Sequence, residues 1–227
     1  MGLLPDGAPL GEVAVETNKK AAATQGFTTK MAVATTTFWF IGIAFLVHGF
    51  THVSIIQTQG SHLQDIGFPF ATAATALSSV GLGSLTGKFF FGWLCDRIQA
   101  KFAFAIGLAL ELIAFIILIN MTSSTPLSIV WIYAVLLGFG MGAWLPTMAI
   151  LVSSNFGLVS FGTLVGIMTM AQNIGASTGP MFAGRMFDAM QTYHQAFIIL
   201  AILHAIAIPV ILLSRPPRVK RVQTTAQ

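Results

Sequence analysis

Residues 102–121 read FAFAIGLALELIAFIILINM, an unbroken apolar segment with a single acidic residue, Glu111, near its middle. A helix needs roughly 20 apolar residues to cross the hydrocarbon core of a bilayer. Hydrocarbon offers no partner to backbone N–H and C=O groups, so chains cross it as helices or as closed barrels. Barrel strands show about ten residues of alternating polarity, a pattern that this segment lacks. The segment therefore predicts a transmembrane helix.

Five further apolar segments lie on either side of this one. They cover residues 32–56, 70–94, 127–152, 161–184 and 196–213. The polar stretch 57–67 predicts a short loop between the first two. Of the 227 residues, 55% are hydrophobic and only 8% are charged, whereas soluble domains carry about 25% charged residues. We predict an all-α membrane protein with six transmembrane helices at 32–213, a polar lead-in at 1–31 and a basic tail at 214–227.

The basic residues fall at the ends of these segments and not along one interleaved face. The net charge of +4 therefore indicates membrane topology and argues against a nucleic-acid partner. An even number of spans puts both termini on one side, and the side rich in lysine and arginine is cytoplasmic. The residues predicted on that side are Lys19, Lys20, Lys30, Arg97, Lys101, Arg215, Arg218, Lys220 and Arg221. We expect a multi-pass protein of the inner or plasma membrane with both termini in the cytoplasm.

Other classes of protein find little support in the sequence. Cys95 is the only cysteine, which excludes a disulfide framework and a Cys/His metal cluster. Residues 1–30 lack an apolar core followed by a cleavage site, so we predict no secretory signal peptide. Ser84 and His204 could form the Ser/His pair of an intramembrane hydrolase, but no amide cluster around Ser84 suggests an oxyanion site, which argues against that class. A channel would need a filter loop or a ring of like charges, and the sequence indicates neither. We predict neither an enzyme nor a cofactor.

The loop between the second and third segments reads Gly92-Trp-Leu-Cys-Asp96-Arg97-Ile-Gln-Ala-Lys101. It resembles the loop signature Gly-x-Leu-Ala-Asp-Arg-x-Gly-Arg-Arg of the major facilitator superfamily, which follows the second and eighth helices of that fold. Gln99 stands where the family has glycine, and Ala100 stands where it has a base. The resemblance implies a gating loop in which Asp96 accepts hydrogen bonds from Arg97, Lys101 or a helix end. A solvated basic loop is the alternative interpretation for Arg97 and Lys101.

The fifth segment carries a second resemblance, through the glycines of 155–184 and the stretch 188–197. It is similar to the eleventh helix of the superfamily in the branch of monocarboxylate porters and oxalate/formate antiporters, as is His62-Leu-Gln-Asp65-Ile-Gly67. The resemblance implies that the chain is the carboxy-terminal half of a twelve-helix transporter. Its substrate would bind between two six-helix halves near the bilayer midplane, so a partner half or a homodimer is expected.

Ionisable and polar residues inside the spans are the candidate substrate contacts. Lys88 leads, because it matches the position at which this branch carries a cation that pairs with substrate carboxylate. Its alternative is to snorkel toward the cytoplasmic surface, since it lies roughly 12 Å along the helix from Asp96. The other candidates are His48, Trp144, Gln172 and Asn173. For each of these, ordinary packing or a hydrogen bond within the bundle is the alternative.

His48 and His52 are four residues apart and share one helix face. Histidine titrates near neutrality, so both residues, together with Glu111, are candidates for proton coupling. No carboxylate or cysteine stands near them in the same span, so we predict no metal site. His204 is interpreted as structural.

Two functions remain open from the sequence. The first is secondary active transport of a small organic anion, such as a monocarboxylate, by alternating access, with protons as a candidate coupling ion. The second is that the chain is a truncated or split half that needs a partner half and does not transport alone. Its length of 227 residues supports the second directly.

Overall fold

A computed structural model describes residues 26–217, and this part of the chain folds into helices. Their bounds are α1 Thr29–Val33, α2 Thr36–Asp65, α3 Phe70–Cys95, α4 Ala100–Ile119, α5 Leu127–Met141, α6 Trp144–Phe156, α7 Phe161–Met190 and α8 His194–Leu212. The predicted cytoplasmic residues Lys19, Lys20, Arg218, Lys220 and Arg221 lie outside the described residues. Helices α5 and α6 together form the fourth predicted span, so the described chain contains the six spans that the apolar segments predict.

The first span is longer than predicted, and the predicted loop at 57–67 is wrong over most of its length. Helix α2 continues through these polar residues and ends at Asp65. The reason is that one face of the extension is buried, through Thr58, Gln59, His62 and Leu63. Gln59 accepts a hydrogen bond of 2.5 Å from the buried hydroxyl of Tyr133, which gives the polar extension a partner inside the bundle.

The fourth span is interrupted at two small residues, Gly142 and Ala143, shortly before Pro146. Helix α5 ends at Met141 and α6 begins at Trp144, with Gly142 and Ala143 between them. Proline has no backbone N–H and its ring crowds the preceding turn, so a bend at this point is expected. The break lies against α3, because a side chain at Gly142 would meet the backbone of Gly87 and Lys88.

The bundle is assembled from helix pairs that approach closely at glycine. Helix α2 packs along α7, and α3 packs along α5. A Cβ atom at Gly175 would fall on the carbonyl oxygen of Leu46, and one at Gly138 would fall on that of Val80. Small residues allow membrane helices to pack this closely. Helix α4 completes the bundle by packing against α5 and α8.

Four of the spans are long and apolar enough to cross a membrane by length and composition alone. These are Thr36–Asp65, Ala100–Ile119, Leu127–Phe156 and His194–Leu212. The other two, α3 and α7, have 26 and 30 residues. Their exposed faces mix glycine, serine and threonine with large apolar residues such as Leu82 and Phe89 on α3 and Met170 and Ile174 on α7, which lowers their hydropathy. These two helices are therefore less uniformly apolar than the other spans.

Candidate functional site

A buried carboxylate lies at the centre of the bundle. Glu111 on α4 is 1% exposed. Its Oε1 atom is 3.1 Å from Nε2 of His48, and its Oε2 atom is 2.9 Å from Nδ1 of His52. Both histidines are on α2, one helical turn apart, with their rings stacked at a centroid distance of 5.2 Å. The predicted shared face of the two histidines therefore points at a carboxylate from another span.

A third histidine joins this group from α8. Nε2 of His204 is 3.2 Å from the carbonyl oxygen of Leu108 and 4.0 Å from Oε2 of Glu111. Its Nδ1 atom is 2.8 Å from the hydroxyl of Thr51. The side chain of His204 is fully buried, and the ring of Phe115 packs beside it at 4.8 Å. Helices α2, α4 and α8 are thus tied together by a polar network of His48, Thr51, His52, Glu111 and His204.

The outer nitrogens of the two α2 histidines have no hydrogen-bond partner within residues 26–217. These atoms are Nδ1 of His48 and Nε2 of His52. An ionised carboxylate only accepts hydrogen bonds, so both histidines donate to Glu111 from the nitrogens that face it. Each ring is then neutral. One of its nitrogens donates a hydrogen bond to Glu111, and the other carries no hydrogen. A buried bare acceptor costs less than a buried N–H without an acceptor would.

The same three residues, His48, His52 and Glu111, are also of the types that bind metal ions. Atoms of His48, His52 and Glu111 that could act as ligands lie within 4.8 Å of one another. Spacing within one span does not predict this cluster, because the carboxylate comes from a different span. Coordination through the nitrogens that face Glu111 would, however, move each ring proton to the nitrogen that has no partner. The geometry therefore fits hydrogen bonding better than metal coordination, in which the other ring N–H normally finds an acceptor.

Lys88 lies away from this network, on an exposed face of α3. No acidic side chain in the described part of the chain pairs with it. The exposed or half-buried residues in line with it at helical spacing are Ala74, Ser78, Gly81, Leu85 and Gly92. A Cβ atom added at Gly81 or Gly92 would meet nothing within 4 Å. We call this set, with Lys88, the lysine stripe.

Helix α7 presents a second open line of residues. Its members are Gly162, Gly166, Met170, Asn173, Ser177 and Met181, and all are exposed. We call them the α7 stripe. The predicted contact Asn173 therefore lies on an open surface, in a shallow depression with Gly166 and Ser177. Gln172 points the other way: it is buried, and its Oε1 atom has no partner among residues 26–217.

The remaining predicted contacts occupy different environments. His48 is fully buried inside the network and does not face an open surface. Trp144 is half-buried at the start of α6, packed against the hydrophobic core. The structure therefore places Lys88 and Asn173 on open faces and keeps His48, Trp144 and Gln172 within the bundle. Their roles in substrate binding stay predictions.

The predicted gating loop connects α3 to α4. Asp96 caps α3 and is exposed, and among the described residues it forms no ion pair. Arg97 lies over the ring of Trp93 at 5.6 Å. The Nζ atom of Lys101 donates to the carbonyl oxygen of Ser214 at 3.1 Å. The predicted bonds from Arg97 and Lys101 to Asp96 are thus absent from this conformation, and Gly92 contributes open space beside Lys88.

Sequence comparison identifies the family. A family model described as Major Facilitator Superfamily matches residues 32–227. The chain belongs to the major facilitator superfamily. The predicted membership is confirmed, and with it the all-α membrane fold of one six-helix half. Members of this superfamily are membrane transporters and not enzymes, so this chain is a multi-pass membrane protein of a transporter family.

Individual relatives of this superfamily member fall into two groups. Monocarboxylate transporter 13 of Bos taurus is 25% identical over 139 residues, which is 61% of this chain and 32% of the relative. Monocarboxylate transporter 12 of Homo sapiens is 22% identical over 165 residues, 70% of this chain and 31% of the relative. Low affinity inorganic phosphate transporter 8 of Medicago truncatula is 30% identical over 120 residues, 49% of this chain and 21% of the relative. The chain spans between a fifth and a third of their lengths.

Sequence reasoning missed two members of the buried network: it did not name Thr51, and it gave His204 a structural role. His204 shares the network with Glu111, and Thr51 links it to α2. The signal that could have found it is general: any ionisable residue inside a span is costly and needs a partner. The three histidines and the one glutamate of the predicted spans are therefore expected to contact one another.

Proposed function

We propose that this chain forms one half of a secondary active transporter for a small organic anion of the monocarboxylate class. The observation that carries the proposal is Lys88, an exposed cation inside a span with no acidic partner among the described residues. An unpaired charge at membrane depth is costly unless it faces water or a ligand. An anion held between Lys88 and a second half would supply the missing partner.

The residues around Lys88 support a ligand more than a lipid contact. Apart from Leu85, the members of the lysine stripe beside Lys88 are small: Ala74, Ser78 and Gly81 on one side and Gly92 on the other. Such small residues leave room for a ligand beside the ammonium group. A lysine offers a compact charge in place of the planar fork of arginine, so it suits a small carboxylate or phosphate without demanding bidentate geometry.

The second wall of the substrate path would come from a partner half. The lysine stripe and the α7 stripe are both open faces of spans, and both are rich in small and polar residues. Gly162 and Gly166 have the spacing of a helix-packing pair, yet a Cβ atom at either would meet nothing within 4 Å. Spans of this composition favour contact with another helix bundle. We propose that a second six-helix half, or a second copy of this chain, covers them.

Orientation follows from charge. Among the described residues, Lys30, Arg97, Lys101 and Arg215 lie at the ends of spans that share one side, and Arg185 lies toward the other. By the positive-inside rule, the first group faces the cytoplasm. We propose a plasma or inner membrane location with both termini cytoplasmic.

The test is uptake of labelled lactate, oxalate and phosphate into proteoliposomes that hold the purified chain under an imposed proton gradient. Lys88→Ala removes the proposed anion contact, and Arg185→Ala is a matched control that removes an exposed cation outside the lysine stripe. We expect uptake of one anion by wild type and by Arg185→Ala, and at least a tenfold loss in Lys88→Ala, since charged hydrogen bonds contribute about 1.5–3 kcal/mol.

Equal uptake in Lys88→Ala and wild type would exclude Lys88 as the anion contact. A folded wild type that takes up none of the three anions supports the second candidate function, a half that needs its partner. The open α7 stripe favours that candidate specifically. Co-reconstitution with a candidate amino-terminal half then has to restore uptake that Lys88→Ala again abolishes.

A further inference from the structure

The buried network of His48, Thr51, His52, Glu111 and His204 is separate from the lysine stripe, and the anion site does not use it. A role for the network in binding the ion that drives transport would deepen the proposed function and rests on it. Donor and acceptor chemistry, together with the distances between the atoms, decides how many ring hydrogens each histidine of the network can carry. The number differs from one histidine to another.

Two of the three histidines have room for only one proton each. His48 and His52 donate to Glu111 from the nitrogens at 3.1 and 2.9 Å. Their other nitrogens have no partner within the described chain. A second proton on either ring would create a buried, charged N–H group without an acceptor, which is strongly unfavourable. Neither ring is therefore a good site for an added proton.

His204 differs because a hydrogen-bond partner stands at each of its nitrogens: a carbonyl oxygen, which only accepts, and a hydroxyl, which can donate or accept. The carbonyl oxygen of Leu108, 3.2 Å from Nε2, can only accept, so Nε2 carries a hydrogen. The hydroxyl of Thr51 stands 2.8 Å from Nδ1 and 2.9 Å from the carbonyl oxygen of Val47. That hydroxyl has one hydrogen. If Thr51 donates it to Val47, the remaining bond requires Nδ1 of His204 to carry a hydrogen as well.

The hydrogen bonds allow both states of His204, and charge favours the doubly protonated one. With both α2 histidines neutral, an ionised Glu111 leaves one negative charge buried in the middle of three spans, which is costly in hydrocarbon. A doubly protonated His204, with Nε2 4.0 Å from Oε2 of Glu111, cancels that charge. The other groups that face His204 are His48 and His52 from α2. On α7, which also packs against α8, the charged residues Arg185 and Asp188 are exposed and lie outside the network.

We propose that this network is a proton-binding site that holds one exchangeable proton on His204, with Glu111 as its counter-charge. Every polar bond of His204 and Thr51 is then complete. Loss of the proton leaves Nδ1 bare, and Thr51 turns its hydrogen from Val47 to Nδ1. The protonation state of His204 on α8 thereby changes a hydrogen bond between Thr51 and the backbone of α2 at Val47, one turn before Thr51.

A divalent metal ion fits the same atoms less well. It would leave a net positive charge beside Glu111 and would place ring protons on the partnerless nitrogens of His48 and His52. Elemental analysis of the purified chain distinguishes the two occupants, because a proton site binds no stoichiometric metal.

The experiment is nuclear magnetic resonance of the purified full chain, labelled with ¹⁵N in its histidine rings, from about pH 8 to about pH 5, the range in which histidine titrates. We expect a doubly protonated ring signal at neutral pH that is lost in His204→Gln. It should also be lost in Glu111→Gln, which keeps the volume of the side chain but removes its charge. His194→Gln, at an exposed position, is the matched control and should keep the signal.

Circular dichroism establishes whether each variant is folded. If His204→Gln does not fold, Glu111→Gln provides the test. A wild-type chain in which the three buried rings stay singly protonated over this range would overturn the proposal. So would a signal that survives in both variants, or stoichiometric metal in the purified chain. Because the measurement needs no transport, failed anion uptake with an intact signal refutes only the proposed function.

Discussion

Replacing Glu111 by leucine tests whether the buried network holds the three helices together. The leucine side chain has nearly the same volume but accepts no hydrogen bond. His48 and His52 would each lose the acceptor that now lies 3.1 or 2.9 Å away. Their side chains are 0% and 5% exposed, so water does not replace it.

The magnitude follows from the two orphaned donors. A buried donor without a partner costs about 1–3 kcal/mol, which gives about 2–6 kcal/mol for the pair. Hydrogen bonds between membrane helices are worth less, about 0.6 kcal/mol on average and about 1.7 at most, because the unfolded chain in a membrane also finds partners. Removing the buried charge offsets part of the loss. We expect Glu111→Leu to lower the free energy of unfolding by about 1–3 kcal/mol.

The assay is reversible unfolding in mixed micelles with increasing sodium dodecyl sulfate, followed by circular dichroism. Ile113→Leu, on an exposed face of the same helix, is the matched control and should change stability by less than about 0.5 kcal/mol. Adding His52→Leu to Glu111→Leu removes one orphaned donor, so the double variant should be no less stable than the single one. A Glu111→Leu chain as stable as wild type would show that the network is dispensable for the fold and that the two donors carry no such cost.

Two further variants probe the packing that surrounds the network. Tyr133→Phe removes the hydroxyl that donates to Gln59 at 2.5 Å and should cost about 1 kcal/mol in the same unfolding assay; unchanged stability would mean that this bond does not hold the extended end of α2. Gly138→Val puts a side chain against the carbonyl of Val80 and should cost at least about 1–3 kcal/mol through overpacking. Gly81→Ala, which meets nothing within 4 Å, is its control, and equal losses in the two would contradict the close approach of α3 and α5.

The spans themselves could be predicted from the sequence because hydrocarbon admits few alternatives. Each apolar segment had to be a helix, and the spacing of His48 and His52 is enough by itself to place them on one face. Helix α2 exceeded its prediction because hydropathy measures only apolar character. Thr58, Gln59 and His62 are polar residues on a buried face, and hydropathy does not report the packing that buries them.

The composition of the buried network could not be predicted, because it depends on how the helices cross. Glu111 contacts His48 across a sequence separation of 63 residues, and His204 contacts Thr51 across a separation of 153 residues. No spacing rule within one span connects them. The expectation that a metal needs a nearby carboxylate in the same span does not hold as a rule for the same reason, since Glu111 arrives from α4.

The placement of the two candidate sites has a mechanical consequence. Lys88 and the network do not touch, so an anion at the lysine stripe and a proton on His204 could influence each other only through the helices between them. Helix α2 is the common element: it carries His48, Thr51 and His52, and it packs against α3, which carries Lys88, and along α7, which carries the second open stripe. A change at Thr51 that alters the backbone bond to Val47 acts on the helix that packs against both of these helices. Coupling through a shared rigid helix with two hydrogen-bonding states needs no direct contact between the two ligands.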